Sequence, residues 1–247
     1  MKDNMRLRLF AGPNGSGKTT LYDIITRKCD LGVFVNADNI EKLLHTKGFI
    51  DFTEYNILIN KQQFITDFKK SSLFKLANGE VLTPYLKWMN DNCLAISGFK
   101  NINSYFAAYI AEFIRNELVM AGHKLTFESV MSDRRKLDFL QKARDRGYRI
   151  YLYYITTIDV AINIGRVEAR VLQEGHSVPE DKIRSRYIKS LDNLLDAIKL
   201  SDRIYLFDNS FQSPTLIAEI NDGLIDCKTD FVPSWFQEYV INKIPNI

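Results

Sequence analysis

The sequence predicts a three-layer α/β fold in which a mainly parallel sheet of five strands lies between layers of helices. Short apolar runs, typical of buried strands, alternate with segments of helical period, and the first run leads directly into a glycine-rich loop. This alternation predicts parallel strands, because each helix crosses back over the sheet before the next strand begins. The five predicted strands are residues 6–11, 32–36, 124–128, 149–155 and 203–207.

Helical patterns fill most of the chain between these strands. One predicted helix covers 104–120, with Ser104 as its expected cap and Gly122 after its end. Residues 49–103 are less regular, and we interpret them as a helical insertion into a single domain that covers 1–247. For the segment after Pro214 the only prediction is a short helix near 235–244.

Residues 158–199 form a predicted helical region with a break at Glu174-Gly175-His176. Pro179 and Glu180, which follow Ser177, are typical of the first turn of a new helix. Two helices joined by a glycine-containing break indicate a lid that could close over a bound ligand. His176 is either a ligand contact or an ordinary turn residue.

Composition indicates a water-soluble globular protein without a strong charge preference. There are 33 Lys and Arg residues against 30 Asp and Glu residues, and a net charge of +3 does not by itself favour a nucleic-acid or membrane partner. No apolar run approaches the roughly 18 residues that a membrane span needs, and the start lacks the pattern of a signal peptide, so we expect a cytoplasmic protein. The three widely spaced cysteines suggest neither a disulfide framework nor a metal site.

A phosphate-binding loop is the strongest functional signal in the sequence. Residues 12–19, GPNGSGKT, match G-x-x-x-x-G-K-[ST] at every fixed position, and they lie between a predicted strand and a predicted helix. Backbone N–H groups of such a loop face a polyphosphate, the lysine reaches the β- and γ-phosphates, and the threonine hydroxyl binds Mg²⁺. We therefore predict ATP and Mg²⁺ as cofactors, with Lys18 as a catalytic residue and Thr19 as the metal ligand. The predicted nucleotide-binding residues of this loop are Gly12, Pro13, Asn14, Gly15, Ser16, Gly17, Lys18, Thr19 and Thr20.

Two carboxylates follow other predicted strands at the same edge of the sheet. Asp38 comes after the second strand and Glu128 ends the third, and a parallel sheet collects its active site at the carboxyl ends of its strands. Asp38 is the candidate base for a hydroxyl acceptor, the alternative being a cap of the helix that follows. Glu128 is a candidate for holding Mg²⁺ through water or for orienting the acceptor, the alternative being a solvated strand end.

Asp208 and Asn209 follow the fifth predicted strand. Their late position in the chain favours contact with the nucleotide base, although the apolar run before Asp208 also resembles the strand that precedes a magnesium-binding carboxylate. We assign both residues to nucleotide binding.

Four arginines in the predicted lid are candidates for stabilising charge on the transferred phosphoryl group. Arg166 and Arg170 are four residues apart and share one helix face, while Arg184 and Arg186 lie beyond the break. Phosphoryl transfer requires cations near the γ-phosphate, which a closing lid can deliver. The alternative for any one of them is a solvated surface position.

Five segments occur in a defined order along the chain: AGPNGSGKTT, VNADNI, FESVMS, RVEARVLQEGHSVPEDKIRSRY and FDNS. In order and spacing they resemble the zeta-toxin-like P-loop kinases, in particular the branch often labelled predicted ABC-type ATPase, over residues 5–40 and 104–210. An ABC-type site is not expected, because no LSGGQ-like segment is present to complete it.

The resemblance implies a P-loop fold of nucleotide-kinase type whose lid carries arginines. In zeta toxins the γ-phosphate of ATP is transferred to a sugar hydroxyl of UDP-N-acetylglucosamine. By position, Lys18 and Thr19 correspond to the Walker residues, Asp38 to the acceptor-side base, Glu128 to the acidic residue after the central strand, and Arg166 to the first lid arginine. The second lid arginine corresponds to Arg184 or Arg186.

Two features differ from zeta toxins: FESV replaces a glutamate followed by Gly-Thr, and residues 49–103 match no segment of that group. The expected function is therefore a kinase acting on a small hydroxyl-bearing molecule, of which a UDP-N-acetyl sugar is one candidate, with a protein antitoxin as a further candidate partner. The alternatives are a kinase of nucleotide or nucleic-acid ends, which the near-neutral charge disfavours, and a P-loop ATPase switch without a phosphorylated product.

Overall fold

The computed structural model describes residues 5–27, 29–98, 102–172 and 178–243. Two compact units are present, one formed by Met1–Leu31 with Thr126–Ile247 and the other by Gly32–Leu125. The strands are β1 (Arg6–Ala11), β2 (Val33–Val35), β3 (Phe49–Asp51), β4 (Leu86–Trp88), β5 (Cys93–Ile96), β6 (Leu125–Ser129), β7 (Arg149–Thr156), β8 (Arg203–Asp208), β9 (Thr215–Asn221) and β10 (Leu224–Cys227). The helices are α1 (Lys18–Thr26), α2 (Ala37–Lys47), α3 (Lys61–Lys70), α4 (Gly79–Leu82), α5 (Ser104–Ala121), α6 (Arg135–Asp145), α7 (Val160–Val171), α8 (Glu180–Asp192), α9 (Leu194–Leu200) and α10 (Ser234–Tyr239).

The main sheet has seven strands, in the order β10-β9-β8-β7-β1-β6-β2, where five were predicted. All five predicted strands are in it, and β7 is parallel to both β1 and β8. The two additional strands, β9 and β10, are antiparallel and extend the edge beyond β8. They are joined at Asp222-Gly223, where both residues have positive φ. An Asp-Gly pair between apolar runs is a hairpin signal, so the sequence contains the pattern that would have predicted these strands.

An aromatic stack crosses three strands of the main sheet in the first unit. The ring of Phe10 on β1 stacks on Tyr153 of β7 with centroids 4.7 Å apart, and Tyr153 stacks on Tyr205 of β8 at 4.9 Å. The strand register places these residues side by side, Phe10 opposite Tyr153 and Tyr153 opposite Tyr205. Leu21 of α1 packs against this layer, so the helix that follows the glycine-rich loop is anchored on the sheet.

The second unit contains more β-structure than the predicted helical insertion at 49–103. Strands β3, β5 and β4 form an antiparallel sheet in that order, and α3 lies in the same segment. Phe64 of α3 packs edge-on against Trp88 and Phe113, with ring centroids 5.7 and 4.9 Å apart. The predicted insertion therefore contains helices together with three strands that were not predicted, because strands of three or four residues are too short to show a recognisable period.

The predicted insertion at 49–103 lies within the second unit, and the assignment of 1–247 to a single domain stays a prediction. The second unit begins at Gly32 and ends at Leu125, so it contains the predicted insertion together with α2 and α5. Asn103, and not Ser104, caps α5: its side chain accepts from the backbone N–H groups of Tyr105 and Phe106. Helix α5 then ends at Gly122, as predicted, and this glycine adopts the left-handed conformation.

Helices α7, α8 and α9 occupy the predicted lid region 158–199, while Glu174, Gly175 and His176 lie outside the described residues. Ile164 and Val167 of α7 pack against Ile183 of α8 in a small apolar cluster. Within the part of the chain that the structure describes, no helix combines the length and the apolar character that a membrane crossing requires.

Candidate active site

The glycine-rich loop lies between β1 and α1, as the sequence predicts. Gly15 and Gly17 adopt φ values of 73° and 99°, in the left-handed region that favours glycine. The Nζ atom of Lys18 turns back over the loop and donates to the carbonyl oxygens of Gly12 at 2.9 Å and Pro13 at 2.8 Å. These two hydrogen bonds tie Lys18 to the first residues of the loop. From this position its ammonium group could also contact a bound phosphate.

The start of α1 has the properties of an anion site. Gly17 is the N-cap residue and supplies no side-chain hydrogen bond, so the first N–H groups of the helix depend on another acceptor. Ser16 is fully buried, and its hydroxyl oxygen has no hydrogen-bond partner among the described residues. A polyphosphate would satisfy these donors and would also interact favourably with the positive end of the helix dipole. The loop therefore fits the triphosphate of ATP.

Thr19 and Glu128 form the candidate magnesium site. Thr19 Oγ1 donates to Glu128 Oε2 over 3.2 Å, which joins the exposed first turn of α1 to the end of β6. Hydroxyl and carboxylate oxygens are ligands that Mg²⁺ accepts directly or through water. The described residues hold no cluster of three or more His, Cys, Asp or Glu side chains suited to a metal. This donor set fits a Mg²⁺ ion that is bound mainly through phosphate and water.

Asp38 lies in the first turn of α2, in the second unit, and its side chain is exposed. Asn36 is the cap of that helix: its Oδ1 atom accepts from the backbone N–H of Asp38 at 2.8 Å and of Asn39 at 3.2 Å. The alternative assignment of Asp38 as the capping residue is therefore wrong. Its assignment as the acceptor-side base stays a prediction.

Asp208 is buried, and both of its carboxylate oxygens accept hydrogen bonds within the first unit. Oδ2 accepts from the indole Nε1 of Trp235 at 2.8 Å, and Oδ1 accepts from the backbone N–H of Ser210 at 2.8 Å. Since both oxygens are engaged, this geometry favours a structural role for Asp208 over the predicted contact with the nucleotide. The signal that sequence reasoning missed is Trp235, whose buried N–H needs an acceptor.

The four candidate arginines differ in their surroundings. Arg166 is half-buried, its Nη2 donates to the carbonyl oxygen of Phe211 over 3.3 Å, and its Nη1 has no partner among the described residues. Arg184 forms an exposed ion pair with Glu180, with Nη2 and Oε1 2.7 Å apart. Arg170 is exposed and Arg186 is partly buried. Arg166 is therefore the arginine that the fold holds in place beside the loop after β8.

Asn163 of α7, which the sequence analysis did not single out, contacts the glycine-rich loop directly. This fully buried side chain donates through Nδ2 to the carbonyl oxygen of Asn14 at 2.6 Å, while its Oδ1 accepts from the hydroxyl of Thr157. The sequence signal that could have identified Asn163 is an amide side chain among the apolar positions of a predicted helix.

Helix α8 joins this network through Tyr187, whose hydroxyl donates to the carbonyl oxygen of Thr157 at 2.6 Å. Burial raises the pKa of Tyr187 to about 12, so the hydroxyl stays protonated and remains a donor at neutral pH. Arg166 lies about one helical turn after Asn163, so the face of α7 that contacts the loop also carries this predicted lid arginine.

Comparison with solved structures decides the fold. A chain of the PezAT chromosomal toxin–antitoxin system of Streptococcus pneumoniae matches with a TM-score of 0.52 and 14% identity, covering 87% of this chain and 72% of that chain. The chain has the fold of a zeta-toxin-like P-loop kinase. A chain of the AvrRxo1-ORF1:-ORF2 complex with ATP matches with a TM-score of 0.52 and 16% identity, over 91% of this chain and 61% of that chain.

Sequence comparison matches a smaller part of the chain than structure comparison does. No family model matches it. An uncharacterized protein of Haemophilus influenzae is 35% identical over 60 residues, which are 24% of this chain and 43% of that protein. The match thus spans less than half the length of this relative.

Proposed function

We propose that this chain is an ATP-dependent kinase of zeta-toxin type, which transfers the γ-phosphate of ATP to a hydroxyl group of a small molecule. The observation that carries the proposal is the loop of residues 12–19, closed by Lys18 and followed by the Thr19–Glu128 pair. ATP supplies the phosphoryl group, and Mg²⁺ neutralises charge on its phosphates. The likeness to the ATP complex of AvrRxo1-ORF1:-ORF2 supports ATP as the nucleotide.

Each candidate residue has a defined task in this proposal. The loop amides and Lys18 bind the phosphates, while Thr19 holds the metal directly and Glu128 holds it through water or orients the acceptor. Asp38 accepts the proton of the attacking hydroxyl, and Arg166 stabilises charge on the transferred group, together with Arg184 or Arg186. Asn209, which follows β8, supports the loop, because its Nδ2 donates to the carbonyl oxygen of Ser16 at 2.8 Å.

A UDP-N-acetyl sugar is the first acceptor to test, because the segments that resemble zeta toxins include the predicted base and lid arginine. A protein antitoxin is a further candidate partner, since PezAT is a toxin–antitoxin system and AvrRxo1-ORF1 was solved together with ORF2.

The test uses ATP labelled at the γ-phosphate, Mg²⁺ and either UDP-N-acetyl sugars or a metabolite extract. We expect a labelled product that requires an acceptor and disappears in Lys18→Ala, while Lys142→Ala, on the exposed surface of α6, remains active. Melting temperatures of both variants show whether they are folded. Release of free phosphate at a rate that no acceptor changes would contradict the proposal and favour an ATPase switch.

A further inference from the structure

Two buried asparagines each contact one carbonyl oxygen of the glycine-rich loop. Asn163 Nδ2 donates to the carbonyl oxygen of Asn14 at 2.6 Å, and Asn209 Nδ2 donates to that of Ser16 at 2.8 Å. Asn163 is fully buried and Asn209 is 8% exposed. The two side chains come from α7 and from the end of β8, so separate elements hold alternate peptide groups of one loop.

Asn163 and Asn209 lie in space that is open only because Gly15 and Gly17 have no side chain. A Cβ atom on Gly15 would lie 2.5 Å from the backbone oxygen of Asn163, and one on Gly17 would lie 2.3 Å from Nδ2 of Asn209. Any other residue at these two positions would displace the asparagines or the loop. The glycines of the motif therefore permit close contact with these asparagines, in addition to adopting positive φ.

Peptide geometry links these contacts to the loop amides. In a planar trans peptide the C=O and N–H bonds point in opposite directions. The carbonyl of Asn14 and the N–H of Gly15 belong to one peptide group, as do the carbonyl of Ser16 and the N–H of Gly17. A hydrogen bond that holds each carbonyl toward the protein thus turns the partner N–H toward the inside of the loop, where phosphate would bind.

We infer that Asn163 and Asn209 are positioning residues that orient the Gly15 and Gly17 amides for the phosphates of ATP. Only a hydrogen-bond donor can orient these peptide groups, because the atoms that the asparagines contact are the carbonyl oxygens of Asn14 and Ser16. Asn163 is itself oriented by Thr157, whose hydroxyl donates to its Oδ1. This inference rests on the proposed binding of ATP at the loop, and it adds residues outside the motif to the phosphate site.

The test replaces each asparagine by leucine, which has a similar size but no donor. Asn193→Leu is the matched control: Asn193 is 6% exposed, and its Nδ2 donates to the carbonyl oxygen of Met131 at 2.9 Å, so the same kind of buried hydrogen bond is removed elsewhere. Asn163→Ser and Asn209→Ser, whose shorter side chains leave the carbonyl unpaired, serve if a leucine variant does not fold. Calorimetry gives the Kd of Mg-ATP, thermal unfolding gives the Tm, and kinetics give KM and kcat.

We expect the Asn163 and Asn209 variants to weaken Mg-ATP binding by about tenfold or more and to raise KM for ATP by more than they lower kcat. Asn193→Leu should lower the Tm comparably and change the Kd less than about twofold. If the wild-type chain binds Mg-ATP and both asparagine variants bind it as tightly as the control does, the positioning role is wrong while the proposed function stands. A wild-type chain that does not bind Mg-ATP contradicts both.

Discussion

The hydroxyl of Thr19 donates to Oε2 of Glu128 across 109 positions of sequence, at a distance of 3.2 Å. This contact places the hydroxyl of the P-loop motif and the carboxylate at the end of β6 within reach of one cation. It supports Glu128 as part of the proposed magnesium site more specifically than its position at a strand end does.

Glu128→Gln should therefore raise the Mg²⁺ concentration required for half-maximal ATP binding by about tenfold or more, because the amide removes one negative charge beside the metal. Thr19→Val should have a similar or larger effect, whereas Thr19→Ser keeps the hydroxyl and should resemble the wild type. Magnesium titrations of ATP binding by calorimetry give these values. An unchanged magnesium requirement in Glu128→Gln would instead leave orientation of the acceptor as its role.

Asp38 and Asn36 allow catalysis and helix capping to be separated. Asp38→Asn should lower phosphoryl transfer by about 100-fold or more with little change in melting temperature, because it removes a base but no cap. Asn36→Ala should lower the free energy of unfolding by about 1 kcal/mol, because the N–H groups of Asp38 and Asn39 lose their acceptor, and should leave turnover within a few fold. Urea denaturation and transfer assays on both variants measure the two effects. Normal turnover in Asp38→Asn would exclude it as the base.

The arginines should act on turnover more than on nucleotide affinity, because cations delivered by a lid stabilise charge that develops during transfer. Arg166→Ala should lower turnover by roughly 100-fold, with a change of less than about tenfold in the Kd for ATP. The same pair of measurements on Arg170, Arg184 and Arg186 identifies the second arginine.

Arg134→Ala is the control for this series, since Arg134 has an exposed ion pair with Asp196, and such pairs contribute little to stability. Changes in turnover below about threefold in all four variants would show that these arginines form a solvated surface.

Trp235→Phe tests the structural assignment of Asp208. The substitution leaves the buried Oδ2 atom without its indole donor, so the free energy of unfolding should fall by about 1–3 kcal/mol. The Kd for ATP should change less than about threefold if Asp208 does not contact the nucleotide. Trp88→Phe, in the second unit, is the control: it gives the change in unfolding free energy when a tryptophan that does not contact Asp208 is replaced by phenylalanine. A large loss of ATP affinity with normal stability would return Asp208 to the nucleotide site.

Local patterns determined a large part of this protein. The P-loop motif, the five predicted strands and the left-handed end of α5 at Gly122 are all visible in the sequence, because each depends on residues that are close together in the chain. The antiparallel strands β9 and β10 carried a local signal as well, in Asp222-Gly223. The short strands of the second unit carried none that periodicity could detect.

Only the tertiary structure decided which distant polar groups meet. Glu128 accepts a hydrogen bond from Thr19. Asn163 donates to the carbonyl oxygen of Asn14, and Asn209 donates to that of Ser16. Trp235 donates to the carboxylate of Asp208. A sequence shows that a buried asparagine or aspartate needs a partner, but the partner is selected by the packing of elements that lie far apart along the chain. For that reason two carboxylates that both follow apolar strand residues have different partners: Glu128 accepts from the hydroxyl of Thr19, and Asp208 accepts from the indole of Trp235.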